Sequence, residues 1–316
     1  MKSRSMLAVI FGVFLLAATL PAQDGPFLTI DPPRSVLTRA FGINPKGDIV
    51  GLYFTANNVV HGFLLSRGQY TTIDGPNSIR TNAIVINLRG QVVGRYDTPD
   101  GVAHGYIYTN GAFLTVAPPF AAGFTVVTDV TPSGAIVGRY QAADKSFHGF
   151  SLANTQPCLQ EIQPCEWALI DHLDANGNPD MGPMGIQGMG TNADGVIAGF
   201  YQDRNNVFHA FMLDQGIYTT IDPPGAKNTG GSGGVIHINP EGEVAGYYTT
   251  SDDVPHGFLY RDGAWITFDF PDPAAATGTA QSTNTCGINP QGDVVGTYID
   301  HNNASHGYFA PRGTIE

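Results

Sequence analysis

Charge is what this sequence has least of. Lys, Arg, Asp and Glu make up 13% of its 316 residues, roughly half the usual quarter. The balance is acidic as well, with 15 basic and 27 acidic residues and a net charge of −12. That argues against a nucleic-acid partner, because a phosphate backbone needs a clustered Lys/Arg footprint. It also leaves no polybasic patch for anionic lipid. An acidic surface chiefly serves solubility. Catalytic signatures are missing too. There is no Gly-x-Ser-x-Gly elbow, no phosphate loop, no His-Glu-x-x-His and no Ser-x-Asp-x-Gly-x-x-Trp box of the sialidase kind. After residue 22 no stretch is apolar enough to span a membrane. Disorder is equally disfavoured, since aromatics reach 10% and charge is low.

Gly is plentiful at 40 residues and Pro at 22, the mark of many tight turns. The first 22 residues read MKSRSMLAVIFGVFLLAATLPA. Lys2 and Arg4 precede an apolar run, Met6–Leu16, and small residues follow. This is the pattern of a secretory signal peptide cleaved after Ala22, and too short for a spanning helix, which needs about 20 residues. The mature chain, 23–316, is therefore expected outside the inner membrane, secreted or periplasmic, and as a monomer.

One stretch, Gly42–Asp74, recurs six times. An Asn-x-x-Gly turn starts at Asn44, Asn87, Asn192, Asn239 and Asn289, with Thr131 in the Asn place of one copy. A His follows 17 residues on, at His61, His104, His148, His209, His256 and His306. A Thr-Ile-Asp-like end follows the His by 13 residues at Asp74, Ala117, Asp222 and Asp269, and by 23 at Asp171. Fixed internal spacing means one supersecondary unit repeated in a stack. The step His209-Ala210-Phe211, the variants His61-Gly62-Phe63, His148-Gly149-Phe150 and His256-Gly257-Phe258, and the Asn-x-x-Gly-x-Val-Val-Gly-x-Tyr lead-in resemble the HAF repeats of bacterial extracellular proteins. The resemblance spans nearly the whole mature chain. It implies an extracellular repeat protein with a propeller-like repeat and no particular activity.

Each copy reads as four short strands. Asn-Pro-x-Gly turns at Asn44–Gly47, Asn239–Gly242 and Asn289–Gly292 end the first. Asp48–Tyr53, His61–Leu65 and Tyr70–Asp74 and their equivalents supply the rest, separated by polar hairpin turns. A Gly within the second strand (Gly51, Gly94, Gly138, Gly199, Gly246, Gly296) is expected to let a neighbouring sheet or backbone approach closely. The fold class is all-β, a six-bladed β-propeller of four-stranded antiparallel blades forming one domain over 23–316. The chain opens on an orphan fourth strand, Phe27–Asp31, and stops before the last copy's own. That predicts ring closure by the N-terminal strand beside His306–Phe309. The Asp-to-Asn interval varies between 13 and 21 residues, as a connection between blades should. Gly230–Gly234 reads as a flexible link of that kind.

Residues present in every blade usually serve the blade. The six His are therefore structural, bonded to a neighbouring turn or to the Asp that ends the fourth strand. Asymmetry marks the fourth repeat, with an insertion at about 153–185. There Cys158 and Cys165 bracket CLQEIQPC and suit a short-loop disulfide in an exported chain, leaving Cys286 odd. Trp167, Asp171 and His172 are candidates for ligand contact. Asp174, Asn176, Asn178 and Asp180 alternate as in Ca²⁺ loops. Pro179 stands where an EF-hand needs Gly and Gly185 where it needs Glu, so only a looser Ca²⁺ site fits. The expected function is a secreted, non-enzymatic binding or structural scaffold for a glycan, a protein or a surface polymer. The alternative is an extracellular polysaccharide hydrolase or lyase using acids such as Glu161, Asp171 or Asp174.

The Ca²⁺ loop predicts a specific melt. Ca²⁺ should raise the thermal midpoint of residues 23–316 and chelator should reverse it. The shift should vanish when Asp174 and Asp180 are changed to Ala; no shift removes the calcium site.

Overall fold

A computed structural model describes residues 27–153, 155–160, 164–172, 181–182, 184–231, 234–272 and 274–315. Nearly all regular structure among them is β, with one helical turn at Thr155–Leu159 and a short 3₁₀ turn at Arg312–Thr314. The strands of each copy pair antiparallel in chain order. In copy one Leu37–Ile43 pairs with Ile49–Phe54, that with Val60–Ser66, and that with Gln69–Ile73. The arrangement is a β-propeller of four-stranded antiparallel blades. Four blades stand as separate sheets. Copies one and two instead share one eight-stranded sheet, joined by a single parallel bridge from Val60 to Arg80. Six separate sheets, the expectation from the repeat count, are thus not formed.

The Asn-x-x-Gly turn is built by its Asn. Asn44 Oδ1 accepts from the amides of Lys46 and Asp48, while Gly47 takes φ +78°. The amide of the same side chain then reaches the next copy. Asn44 donates to Asn87 O, Asn87 to Thr131 O at 3.0 Å, and Asn239 to Asn289 O. Thr131 keeps the turn by accepting from Ala135 N, but it has no amide to pass on.

The glycine of the second strand lets backbone approach closely, and a ring with it. A Cβ on Gly51 would lie 2.0 Å from Arg39 O and 2.6 Å from the Phe63 ring. Phe63 is its cross-strand partner, fully buried. The same holds for Gly138 under Phe150, Gly199 under Phe211, Gly246 under Phe258 and Gly296 under Tyr308. The space left by the missing side chain is shared, at most of these positions, by a backbone oxygen of the adjoining strand and an aromatic of the same blade.

The inserted residues also fall elsewhere than expected. They leave the third copy after Phe147–Leu152, and the strand Trp167–Ile170 completes that copy's own sheet. Cys158 and Cys165 are joined by a disulfide within the insertion, and Cys286 is a buried free thiol. Gly230, Gly231 and Gly234 do not link blades. They lie between Asn228–Thr229 and His237–Ile238, which both pair with Val244–Thr249. These three glycines therefore interrupt the innermost strand of copy five, where Gly234 rests against Tyr247; the rest of the stretch lies outside the described residues.

The N-terminal strand Leu28–Ile30 pairs with Ser305–Ala310, in the register Leu28 to Phe309 and Ile30 to Gly307. Asp31 then accepts from His306 Nδ1 at 2.7 Å. Phe27 adds rings to the cluster of Phe268, Phe270 and Tyr308.

Deleting Phe27–Asp31 leaves a long edge unpaired and is expected to lower the denaturation midpoint steeply. Asp74→Ala removes the equivalent His contact inside one blade and should cost only about 1 kcal/mol. Urea titrations of both variants check this; equal losses would show that the closing strand contributes no more than its one side chain.

Candidate functional site

The repeated His and Asp are consumed in the blades. Nδ1 of His61, His148, His209 and His256 bonds Asp74, Asp171, Asp222 and Asp269 at 2.6 to 3.1 Å. Each of these His also lies against the Tyr paired with it on the second strand, Tyr53 with His61 at 5.2 Å for example. His104 has Ala117 where the others have Asp, and bonds Thr98 instead. These side chains are fixed between a fourth strand and a hairpin turn, each turned to its own partner.

The asymmetric candidates from the insertion are partly visible. Trp167 packs edge-on against Phe150 and Phe120. Asp171 is the partner of His148, and its carbonyl accepts from Tyr218 OH. His172 stacks on Tyr201 at 3.9 Å. All three are engaged in packing away from the propeller axis. Asp174, Asn176, Asn178, Asp180 and Glu161 lie outside the described residues. Among the described residues no three of His, Cys, Asp and Glu are grouped to hold a metal.

A different set of side chains meets on the axis. The innermost strands of copies one to three and the backbone of copies four and five enclose a cavity of about 310 Å³. The position five residues before the turn Asn points there: Arg39, Asn82, Val126 and Gly234 line the wall. In copy four that position is Gln187, whose Oε1 accepts from the Arg139 guanidinium. The position after the second-strand glycine adds Arg95 and Arg139, and Arg80 stands at the start of the innermost strand of copy two. Phe41, Leu52, Phe54, Val60 and Ile84 form the apolar part.

Four arginines thus gather in a chain with only 15 basic residues. Their surroundings differ. Asp97 meets Arg95 at 3.3 Å and Arg80 at 3.8 Å. Arg95 and Arg139 both lie 5.2 Å from the centre of the Phe124 ring, and Arg139 also 4.9 Å from Phe147, geometry in which the ring face attracts the cation. Arg139 is buried and has no carboxylate partner among the described residues; burial, then the nearby Arg95, bring it down to about 10. Burial likewise lowers Arg95, with Asp97 working the other way. Both stay charged at neutral pH. Arg39 is exposed and has no hydrogen-bond or ion-pair partner among the described residues.

Two titratable groups lie buried beside this cavity. Asp129 accepts from the amides of Thr191 and Val130, yet burial outweighs those bonds and raises it to about 7. His237 is lowered to about 4 by burial, against a bond to the Thr128 backbone. Both sit where Gly188 and Gly190 let the innermost strands of copies four and five touch backbone to backbone.

The arginines were legible only as exceptions. Gly-Arg-Tyr occurs at 94–96 and 138–140, where the other copies carry Leu52, Phe200, Tyr247 or Thr297. Asymmetry was visible to sequence reasoning as an insertion; it was missed as substitution at a fixed repeat position.

No protein-family model matches the chain, and no curated protein matches its sequence. Solved structures do resemble it. An arginine-to-alanine triple mutant of AofleA from Arthrobotrys oligospora is 14% identical, with a TM-score of 0.54 over 92% of this chain and 88% of that one. A putative TolB from Agrobacterium tumefaciens is 14% identical, with a TM-score of 0.55 over 87% and 90%. TolB from Acinetobacter baumannii is 14% identical, with a TM-score of 0.51 over 76% of this chain and 53% of that one. At such identity the likeness is one of fold.

Asp129 sets a pH dependence. Its folded form holds a proton up to about pH 7, whereas the unfolded carboxyl releases it near 3.8. The stability it contributes is complete below the lower value and declines as pH rises to the upper one. Asp129→Asn should therefore gain on the native protein steadily between those limits and level off above. Each step of one in pH across that window adds roughly 1.4 kcal/mol to the difference. Thermal midpoints at four or five pH values check it; a constant difference would mean Asp129 is ionised throughout.

Proposed function

We propose that the protein is an exported binding scaffold without catalytic activity, a ring of six four-stranded units whose ligand enters the axial cavity. The eight-stranded sheet counts as two units, since its halves touch at one bridge. The observation that carries the binding reading is the make-up of the cavity wall. Among the described residues it has no Asp, Glu, His, Ser or Cys, and its one hydroxyl, Thr128, donates to the Val137 carbonyl, so it offers no carboxylate pair and no nucleophile with a base beside it on the wall. What it offers is cations, apolar surface, an amide and a hydroxyl, which are the means of recognition. The repeated His and Asp lend no chemistry, being bonded to one another. Export rests on the leader over 1–22; among the described residues no helix is long and apolar enough to cross a membrane. A glycan or another extracellular polymer is the expected class of partner.

The test is retention against turnover. The purified protein, which should begin after Ala22, is passed over immobilised neutral and acidic polysaccharides. Reducing ends are assayed in parallel. Retention on at least one polymer without release of reducing ends is expected. Release that grows with time would make the protein a hydrolase or lyase.

A further inference from the structure

We infer that the arginine-lined axial cavity takes a single acidic sugar, a carboxylate-bearing ring of monosaccharide size. The inference deepens the binding reading above and rests on it.

The charge argument comes first. The chain as a whole is strongly acidic, so a cluster of cations at one place is not a sample of its average surface. Of the four arginines on the wall, Asp97 can neutralise one. Three positive charges are left without a carboxylate among the described residues. Arg139 is buried without one, held stiffly by Gln187, Phe124 and Phe147. Burying such a cation unmatched is costly, and an incoming anion would offset that cost. Arg39 is exposed at the wall and free to close on what enters. A planar carboxylate suits a guanidinium fork, giving two parallel charge-assisted bonds.

The rest of the wall says what else the ligand carries. Phe41, Phe54, Leu52 and Val60 form an apolar side that a bare anion would leave wet. The C–H face of a pyranose covers such a surface. Asn82 lines the same wall, and its Oδ1 accepts no hydrogen bond among the described residues. A carboxylate has no proton to give it, whereas a sugar hydroxyl does. The volume of about 310 Å³ lies at the small end of ligand pockets and sets the limit at one ring. A longer acidic polysaccharide would enter by its terminal residue.

The test is calorimetric titration of the purified protein with galacturonate, with galactose and inorganic phosphate as controls. Galacturonate should bind, galactose at least tenfold more weakly, and added salt should weaken the galacturonate. Arg39→Ala should lose tenfold or more, and Arg39→Lys should recover part of the loss. The Arg39 side chain has no hydrogen-bond or ion-pair partner among the described residues, so the melting point of Arg39→Ala should match the native one and separate lost binding from lost folding. Arg139→Gln serves as the second variant and should abolish the preference for acid over neutral sugar. Galacturonate binding no tighter than galactose overturns the inference. So does Arg39→Ala binding unchanged, or phosphate displacing galacturonate at equal concentration, which would make the cavity a simple anion pocket. If galacturonate fails while an immobilised polysaccharide is still retained, this inference falls and the binding reading stands; if nothing is retained, both fall.

Discussion

The structure depends on a contact the chain makes with its own beginning. A blade buries its faces only when another blade stands on each side, so an open row of blades would expose two unpartnered faces. The strand Leu28–Ile30 removes that problem by completing the sheet of the last copy. Asp31 then meets His306 as Asp74 meets His61, so the seam repeats the interior bond of an ordinary blade. Asn side chains link the turn of copy one to that of copy two, two to three, and five to six.

Closure fixes what the repeated residues can do. A His held by Asp on one side and a Tyr ring on the other is committed before any ligand arrives. Variation falls at positions the repeat does not fix, and several of these line the axial cavity. Arg39, Asn82, Val126, Gln187, Gly234 and Asn284 occupy one register, and among them only Asn recurs. Gly188, Gly190 and Gly234 let innermost strands approach closely on one side of the axis, while the arginines crowd the other.

Some of this was legible beforehand. The turn Asn44–Gly47, the fixed interval to His61 and the pairing of that His with Asp74 follow from local chemistry and from a spacing held through the chain. The closing strand was legible because FLTID has the form of a fourth strand and the last copy lacks one. GGSGG misled because glycine marks a turn, a link and a bulged strand alike, and only the pairing of both its flanks with Val244–Thr249 tells them apart. The glycine of the second strand was legible as a place of close approach, but an empty side-chain position does not say which side chain joins the backbone there, and here it is an aromatic of the same blade.

The sequence by itself determined the repeat, the four-strand unit and the turn chemistry, because these depend on residues near one another or on a period. Only the tertiary structure decided that Arg39, Arg80, Arg95 and Arg139 share one cavity. They come from three copies and two strand positions, and although Arg95 and Arg139 share a repeat position, no spacing relates that pair to Arg39 and Arg80. What brings them together is the curvature of the ring, which turns the innermost strand of every blade toward one axis.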